Sequence, residues 1–550
     1  MRRFFGERRI PSLGLALTSL AVVACASIPP GSVAGASGSS KPHRGGTLTM
    51  AVGTTPASMN HDVTDNPTAS NIQRMIENQL FNKNAKQELV PSLATGYKES
   101  KDGLTYTISL RHGIKWSDGT PFTSKDVVFT LEKFLPITPH VPQTLLTALT
   151  TIKSDGRYTV VIQLKQPYSP LMLMLGGTFY ILPQHLYGNQ TVVKDNQAND
   201  HPVGTGPFIL KKWIPNQKVV LVRNPNYWGA TKKHPYPYFN SIVIDVITNP
   251  QTIVDDLLSG AVDYVPTTFL PTTSIKEIQH SSCCRAVAIH GEPGYDVMYT
   301  NTARAPFNNP VVRKAVYMAM TRKLILQDAL SGFGSLPNAI IPSSFPSLYT
   351  PKINLTKQYP YDPAKAAKML DQAGFPATNG ERFGKAITLL YSSSTGELFV
   401  ETGAIIKSEL AKITINVNLI GEDLTSWATQ TYVKKDFTLS IVGLTSRGDP
   451  SLGITRAFAC QPTPTSEFTN ASGYCTKTVT ALFKQAVAAP TTAGRQRAYA
   501  KAQKLLDAAL PSYMMYWRTT YVALSKRIQN WKVSLRWGGA FTTTWSQSWF

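Results

Sequence analysis

The chain has 550 residues, 42% of them hydrophobic and 16% charged, with 23 Tyr, 22 Phe and 9 Trp. That apolar and aromatic content excludes wholesale disorder, and the length exceeds one ordinary core, predicting about three structural units gathered into two lobes. The net charge of +22 is scattered, with no arginine-rich helix and no RNP-type motif, which speaks against a nucleic-acid partner and for contact with anionic membrane or wall polymer.

Residues 1–24 place Arg2, Arg3, Arg8 and Arg9 before an apolar run too short to span a bilayer, the pattern of an export signal peptide. Its removal takes four arginines and Glu7 and leaves a net charge of +19. Val22-Val23-Ala24-Cys25 resembles a bacterial lipobox, so Cys25 is expected to be lipidated and to hold the protein on the outer face of the cytoplasmic membrane, or in the periplasmic space. Arg8-Arg9 before Ile10-Pro11 is a poor twin-arginine signal, and either export route fits. Residues 25–44 read as a lipid-anchored flexible linker rich in Gly, Ser and Pro.

Strands are expected at "GGTLTMAVG" from Gly45, at "QKVVLVRN" from Gln217, and at Ser241 to Ile247, where Ile242, Ile244 and Val246 fall on one face. From Leu93, "LATGYKESKDGLTYTISLRHGIKWSDGTPFTSKDVVFTLEKF" reads as strand, turn, strand and a helix capped at Thr123 or Ser124. Two more helices begin with a cap followed by proline. Asn309-Pro310 opens a stripe of Val312, Ala315, Val316, Ala319 and Met320; Asp362-Pro363 opens one of Ala367, Leu370 and Ala373, stopped by Gly374. Both stripes are core faces. With Cys25 acylated, Cys283, Cys284, Cys460 and Cys475 allow three pairings, of which Cys460–Cys475 closes a short turn-rich loop and is preferred. Adjacent Cys283 and Cys284 are a strained vicinal pair or free thiols.

Catalytic constellations are missing from the sequence: there is no G-x-S-x-G, H-E-x-x-H, C-x-x-C or Walker loop, so no enzyme is expected. Asp255-Asp256 and Glu422-Asp423 are adjacent pairs that diverge on a helix. The nine histidines never fall at metal-ligand spacing, and neither metal nor cofactor is expected.

Four blocks carry a resemblance: the stretch from Leu93 quoted above, "GTGPFILKKWIPNQKVVLVRNPNYWG" from Gly204, "FNNPVVRKAVYMAMTRKLIL" from Phe307 and "YDPAKAAKMLDQAGF" from Tyr361. In this order the chain resembles the family-5 extracytoplasmic solute-binding proteins, the oligopeptide, dipeptide and nickel receptors of ABC importers. The resemblance implies an α/β fold, a two-lobed periplasmic-binding-protein-like clamp with three α/β subdomains and a hinge of crossing segments. It places one lobe at 45–294, with 511–550 returning to it, and the other at 295–510, with "GYDVMYTNT" from Gly294 as a crossing segment. The implied function is a monomeric receptor that captures a peptide or peptide-like solute, closes around it and delivers it to the permease subunits, making and breaking no bond. The alternatives are a cell-wall, polyanion-binding or adhesion lipoprotein, and a nickel-chelate receptor.

"GLTSRGDP" from Gly443 departs from the family pattern. Peptide receptors have Gly-Trp-x-Ala-Asp-Tyr there, and the aspartate pairs with the ligand's amino group. Arg447 stands at that position, and a guanidinium suits carboxylate or phosphate. Arg447 could equally pair with Asp449 or Glu422, or face water. Thr445 shares the segment. Met59 and Asn60 after the first strand, Asn301 in the crossing segment and Trp427 as an aromatic platform complete the ligand-binding candidates.

Overall fold

The computed structural model describes residues 41–550 apart from 57, 65, 84–87, 139–140, 178, 189–192, 394–396, 461–467 and 532–541. The expected export signal, Cys25 and the expected linker up to residue 40 lie outside the described residues. No described helix is long and apolar enough to cross a membrane.

In chain order the strands are β1 (Thr47–Val52), β2 (Phe81–Lys83), β3 (Leu89–Pro91), β4 (Ala94–Glu99), β5 (Thr105–Leu110), β6 (Leu149–Ser154), β7 (Thr159–Leu164), β8 (Phe208–Ile214), β9 (Lys218–Arg223), β10 (Ser241–Val246), β11 (Tyr264–Val265), β12 (Cys284–Thr300), β13 (Gly334–Ser335), β14 (Ile387–Ser392), β15 (Val417–Glu422), β16 (Leu439–Thr445) and β17 (Ser512–Ser525). One sheet runs in the order β15-β14-β16-β12-β17-β11-β1-β10-β9-β8, with β13 on β17; β4-β5-β7-β6 form a separate sheet, and β2-β3 pair alone.

The long sheet has two arms joined by a ribbon of two long antiparallel strands. The first part of β12, Cys284 to Ile289, pairs with Ser525 to Thr520 of β17; its second part, Gly294 to Tyr299, pairs with Arg518 to Ser512. On the first side β17 meets β11 through Tyr264 and Leu524; on the other, β12 meets β16 from Gly294/Thr445 to Thr300/Leu439. The register breaks between Ile289/Thr520 and Gly294/Arg518. The crossing strand thus starts ten residues before Gly294, and β17 passes from one part of β12 to the other between Thr520 and Arg518.

Local sequence accounts for the elements. β10 buries Ile242 and Ile244 as its alternation requires, pairing parallel to β1. The helix Ser124–Phe134 is capped at Thr123 by a full capping box with Asp126. Asn309 caps Pro310–Ala319 through Val311 N–H, and Asp362 caps Pro363–Gln372 through Lys365 N–H. The second helix buries Ala366 and Leu370, so its stripe centres one residue before Ala367, and Ala373 lies at its margin. The Gly-Thr-Gly of the second block has a steric cause: a Cβ on Gly204 would stand 1.8 Å from the Ile76 carbonyl oxygen, and Gly206 N–H donates to that oxygen at 2.7 Å.

Separate apolar cores fill the two arms and the four-stranded unit. That last core includes Leu452 from beyond β16, and Ser169 Oγ donates to the carbonyls of Val487 at 2.7 Å and Ala489 at 3.0 Å. The four-stranded unit is thereby tied to the arm that carries β16.

Candidate functional site

At the centre of the sheet, β12 lies between β16 and β17, and Gly294 has Thr445 on one side and Arg518 on the other. Along the end of β16 and beyond, Gly443, Thr445 and Arg447 are partly exposed, whereas Val442, Leu444 and Ser446 are buried. The period of two puts Gly443 and Thr445 on one face of β16 and Val442 and Leu444 on the other, and Ser446 and Arg447 lie past the end of the strand. Tyr295 and Val297 share the opposite, buried face of β12 with Val442 and Leu444.

Sequence reasoning missed an ion pair on the partly exposed face. Asp296 is 0% exposed, and its Oδ1 lies 3.2 Å from Nε of Arg518, whose side chain keeps 28% exposure. A Cβ on Gly294 would meet Nη2, Nε and Cζ of Arg518 at 3.0, 3.1 and 3.2 Å, so the guanidinium lies flat over that position. A Cβ on Gly443 would stand 3.0 Å from Arg518 Nη2 and 3.2 Å from Asp296 Oδ1. Two glycines on neighbouring strands clear a trough for one guanidinium. Burial pushes the Asp296 carboxyl up, against the pull of Arg518. The sequence signal was available as Gly294 and Gly443, but pairing them requires the sheet register.

Arg447 follows β16 in a left-handed turn, φ 52°, with Gly448 at φ 74°. Burial pushes the Tyr295 phenol up, and Arg456 and Arg447 oppose it, which sets both guanidinium groups near that ring. Tyr295 Oη donates to the Gly453 carbonyl at 2.7 Å.

The remaining acid of the Arg-Gly-Asp tripeptide is committed internally. Asp449 is 6% exposed, caps the short helix Pro450–Gly453 through Ser451 N–H at 2.9 Å, and receives Arg495 Nη2 on both carboxylate oxygens at 2.8 Å. An adhesive tripeptide needs that carboxylate displayed, and here it is buried. Glu422 accepts from Gln430.

The other ligand candidates spend their polar atoms within the protein. Met59 is buried in the core of the first arm. Asn60 donates to Asn199 Oδ1 at 2.8 Å and accepts from Asp62 N–H at 2.9 Å. Asn301 donates to the carbonyls of Lys435 and Phe437 at 3.0 and 3.2 Å. Trp427 is buried, donates to Ser440 Oγ at 3.1 Å and stands edge-on to Tyr432. Of the candidates, Thr445 at the end of β16 and Arg447 just past it are the ones left partly exposed.

Cys460 and Cys475 are bridged with Cα atoms 4.8 Å apart, while Cys283 and Cys284 are free thiols. Cys284 is buried against the Leu257 carbonyl, and burial pushes its thiol up to about 12. Among the described residues no group of three or more His, Cys, Asp or Glu is placed to hold a metal ion.

Comparison with known proteins agrees with this architecture. The model of bacterial extracellular solute-binding proteins, family 5 middle, matches residues 88–464. A putative ABC transporter peptide-binding protein of Brucella ovis is 29% identical over 463 residues, 81% of this chain and 82% of that one. The nickel-binding periplasmic protein of Escherichia coli is 29% identical over 369 residues, 64% of this chain and 67% of that one. The structure of the oligopeptide-binding protein AppA of Bacillus subtilis with a nonapeptide aligns with a TM-score of 0.77 at 22% identity, covering 93% of this chain and 100% of that one. The fold is the two-lobed α/β clamp of those binding proteins. With the family model spanning well over half its length, this chain belongs to the family-5 bacterial extracellular solute-binding proteins.

Proposed function

We propose that the chain is the substrate-binding receptor of an ABC importer, capturing a peptide or peptide-like solute outside the cytoplasmic membrane and handing it to the permease. The observation that carries the reading is the similarity to a putative peptide-binding transporter protein along four-fifths of the chain. The lobes fall on either side of the register break in the β12–β17 ribbon, at 290–293 and near Thr519. The contacts of Ser169 with Val487 and Ala489 join the lobes away from that hinge, as closure requires.

Within the family the substrate varies, and Arg447 is the residue that bears on it here. A guanidinium in place of an amine-pairing aspartate favours solutes with an acidic group near one end. Lipid attachment at Cys25 would keep the receptor beside its importer.

Native mass spectrometry of gently purified protein tests the reading, combined with thermal melting before and after ligand removal. A co-purifying peptide whose removal lowers the melting temperature, and whose return compacts the protein in small-angle scattering, supports it. A co-purifying nickel complex, or polyanion binding without compaction, would replace it.

A further inference from the structure

We propose that a groove on the four-stranded unit is a second binding site, apart from the clamp, for an anionic glycan: Arg111 takes a uronate carboxylate, and the hydroxyls of Ser109 and Thr159 take hydroxyls of the sugar. The inference goes beyond the receptor reading and names an extracellular acidic polysaccharide as the partner.

The fold builds this groove where the first and second of the four sequence blocks meet. Its volume is about 650 Å³, within the roughly 300–1,000 Å³ of ligand clefts. β5 and β7 bury Ile108, Leu110, Val160 and Ile162, so Ser109 and Thr159, directly paired across the two strands, stand together on the solvent face. Just past β5, Arg111 donates through Nε to the Ser92 carbonyl at 2.7 Å and lies over Trp228, its Cζ 5.0 Å from the ring centre. Trp228 is itself held, its Nε1 donating to Asn78 Oδ1 at 2.9 Å. His112 stacks on Tyr158 with ring centres 4.2 Å apart. None of these residues lies on β12, β16 or β17.

Charge and hydrogen-bonding capacity select the occupant. Among the described residues that line the groove there is no Asp or Glu, and the basic side chains are Arg111 and His112. With Nε spent on Ser92, the two terminal nitrogens of Arg111 have no acceptor among the described residues, and the hydroxyls of Ser109 and Thr159 have no partner there either. A carbonyl and a ring already pin the guanidinium, so a ligand costs it little freedom. The planar fork matches a carboxylate, and hydroxyls that both donate and accept match a sugar. Ser109, His112 and Gly113 are exposed, which leaves room for a polymer to run through without presenting an end. The net charge of +22 draws a polyanion to the protein in the first place.

The test titrates trigalacturonate into the full chain calorimetrically at two salt concentrations, with its methyl ester and inorganic phosphate as controls. The acid should bind about tenfold or more tightly than either control, and added salt should weaken it. R111Q should lose about tenfold or more in affinity, and S109V/T159V, which leaves the packing of Arg111 intact, about threefold. Should R111Q fail to fold, the hydroxyl variant and the comparison of acid with ester decide. Unchanged affinity in either folded variant, equal binding of acid and ester, or tighter binding of phosphate overturns the inference. Small-angle scattering separates this site from the clamp. Trigalacturonate should bind without compacting the protein, and compaction would place it in the clamp and overturn the groove. A pool of synthetic tetrapeptides, equilibrated with the protein and identified after retention, tests the receptor reading in parallel. Peptide capture without trigalacturonate binding discards the groove and leaves that reading standing. Trigalacturonate binding without peptide capture discards the peptide reading and keeps the groove.

Discussion

Asp507 gives the sharpest prediction about stability. It sits near the end of the helix Thr492–Ala509, 3% exposed, and among the described residues its Oδ1 has no hydrogen-bond partner. It lines a small internal cavity with Tyr317, Leu355, Leu510 and Ser512. Burial raises its carboxyl from 3.8 to about 7. The folded protein therefore holds a proton that the unfolded chain releases near pH 4. Stability from this group is complete below the unfolded value and is lost as pH rises through the folded one. At 1.36 kcal/mol per pH unit the ceiling is about 4 kcal/mol, of which about 3 kcal/mol falls between pH 4.5 and pH 8. Asp507→Asn keeps the shape and removes the titration. Urea unfolding of both proteins at pH 4.5, 6, 7 and 8 should show the variant gaining on wild type by about 2–3 kcal/mol across that range. Parallel pH curves would refute the reasoning, because they would mean that the carboxyl is ionised in the folded protein at every pH tested.

Three further outcomes are expected. Arg447→Ala should weaken an acidic peptide about tenfold in calorimetric titration, and Arg447→Asp more; equal binding by all three proteins would make Arg447 a structural residue. Arg495→Ala strands the buried Asp449 carboxylate and should cost about 3–5 kcal/mol in denaturant unfolding, and a loss below about 1 kcal/mol would show that water reaches the pair. Cys25→Ser should release the protein from the membrane fraction with an unchanged melting temperature, and retention would rule out the lipid anchor.

Short-range signals were the legible ones. Asn309-Pro310, Asp362-Pro363 and Thr123 announce helix starts because a cap and the backbone N–H it accepts from lie within three residues of each other. β10 showed its alternation because both buried residues lie within one strand. The site was legible only in part. Thr445 and Arg447 stood out against a known pattern, whereas the Arg518–Asp296 pair joins residues more than two hundred positions apart. Neither a lone arginine nor a lone aspartate in a strand signals the other. Asn60, Asn301 and Trp427 show a related ambiguity: a polar or aromatic side chain reads the same in sequence whether it faces ligand or satisfies a neighbour such as Asn199, Phe437 or Ser440.

The position of β17 also constrains how the molecule is made. β17 lies in the middle of the long sheet, between β12 and β11, so the hydrogen-bonded path through the sheet from β12 to β11 passes through residues 512–525. During synthesis the earlier strands wait with unpaired edges until almost the whole chain is available, and the sheet closes late through contacts of very long sequence separation. A chain that cannot complete its fold before its end arrives stays threadable. Truncation before Ser512 should therefore leave the facing edges of β12 and β11 without their shared partner, rather than a smaller version of the same protein.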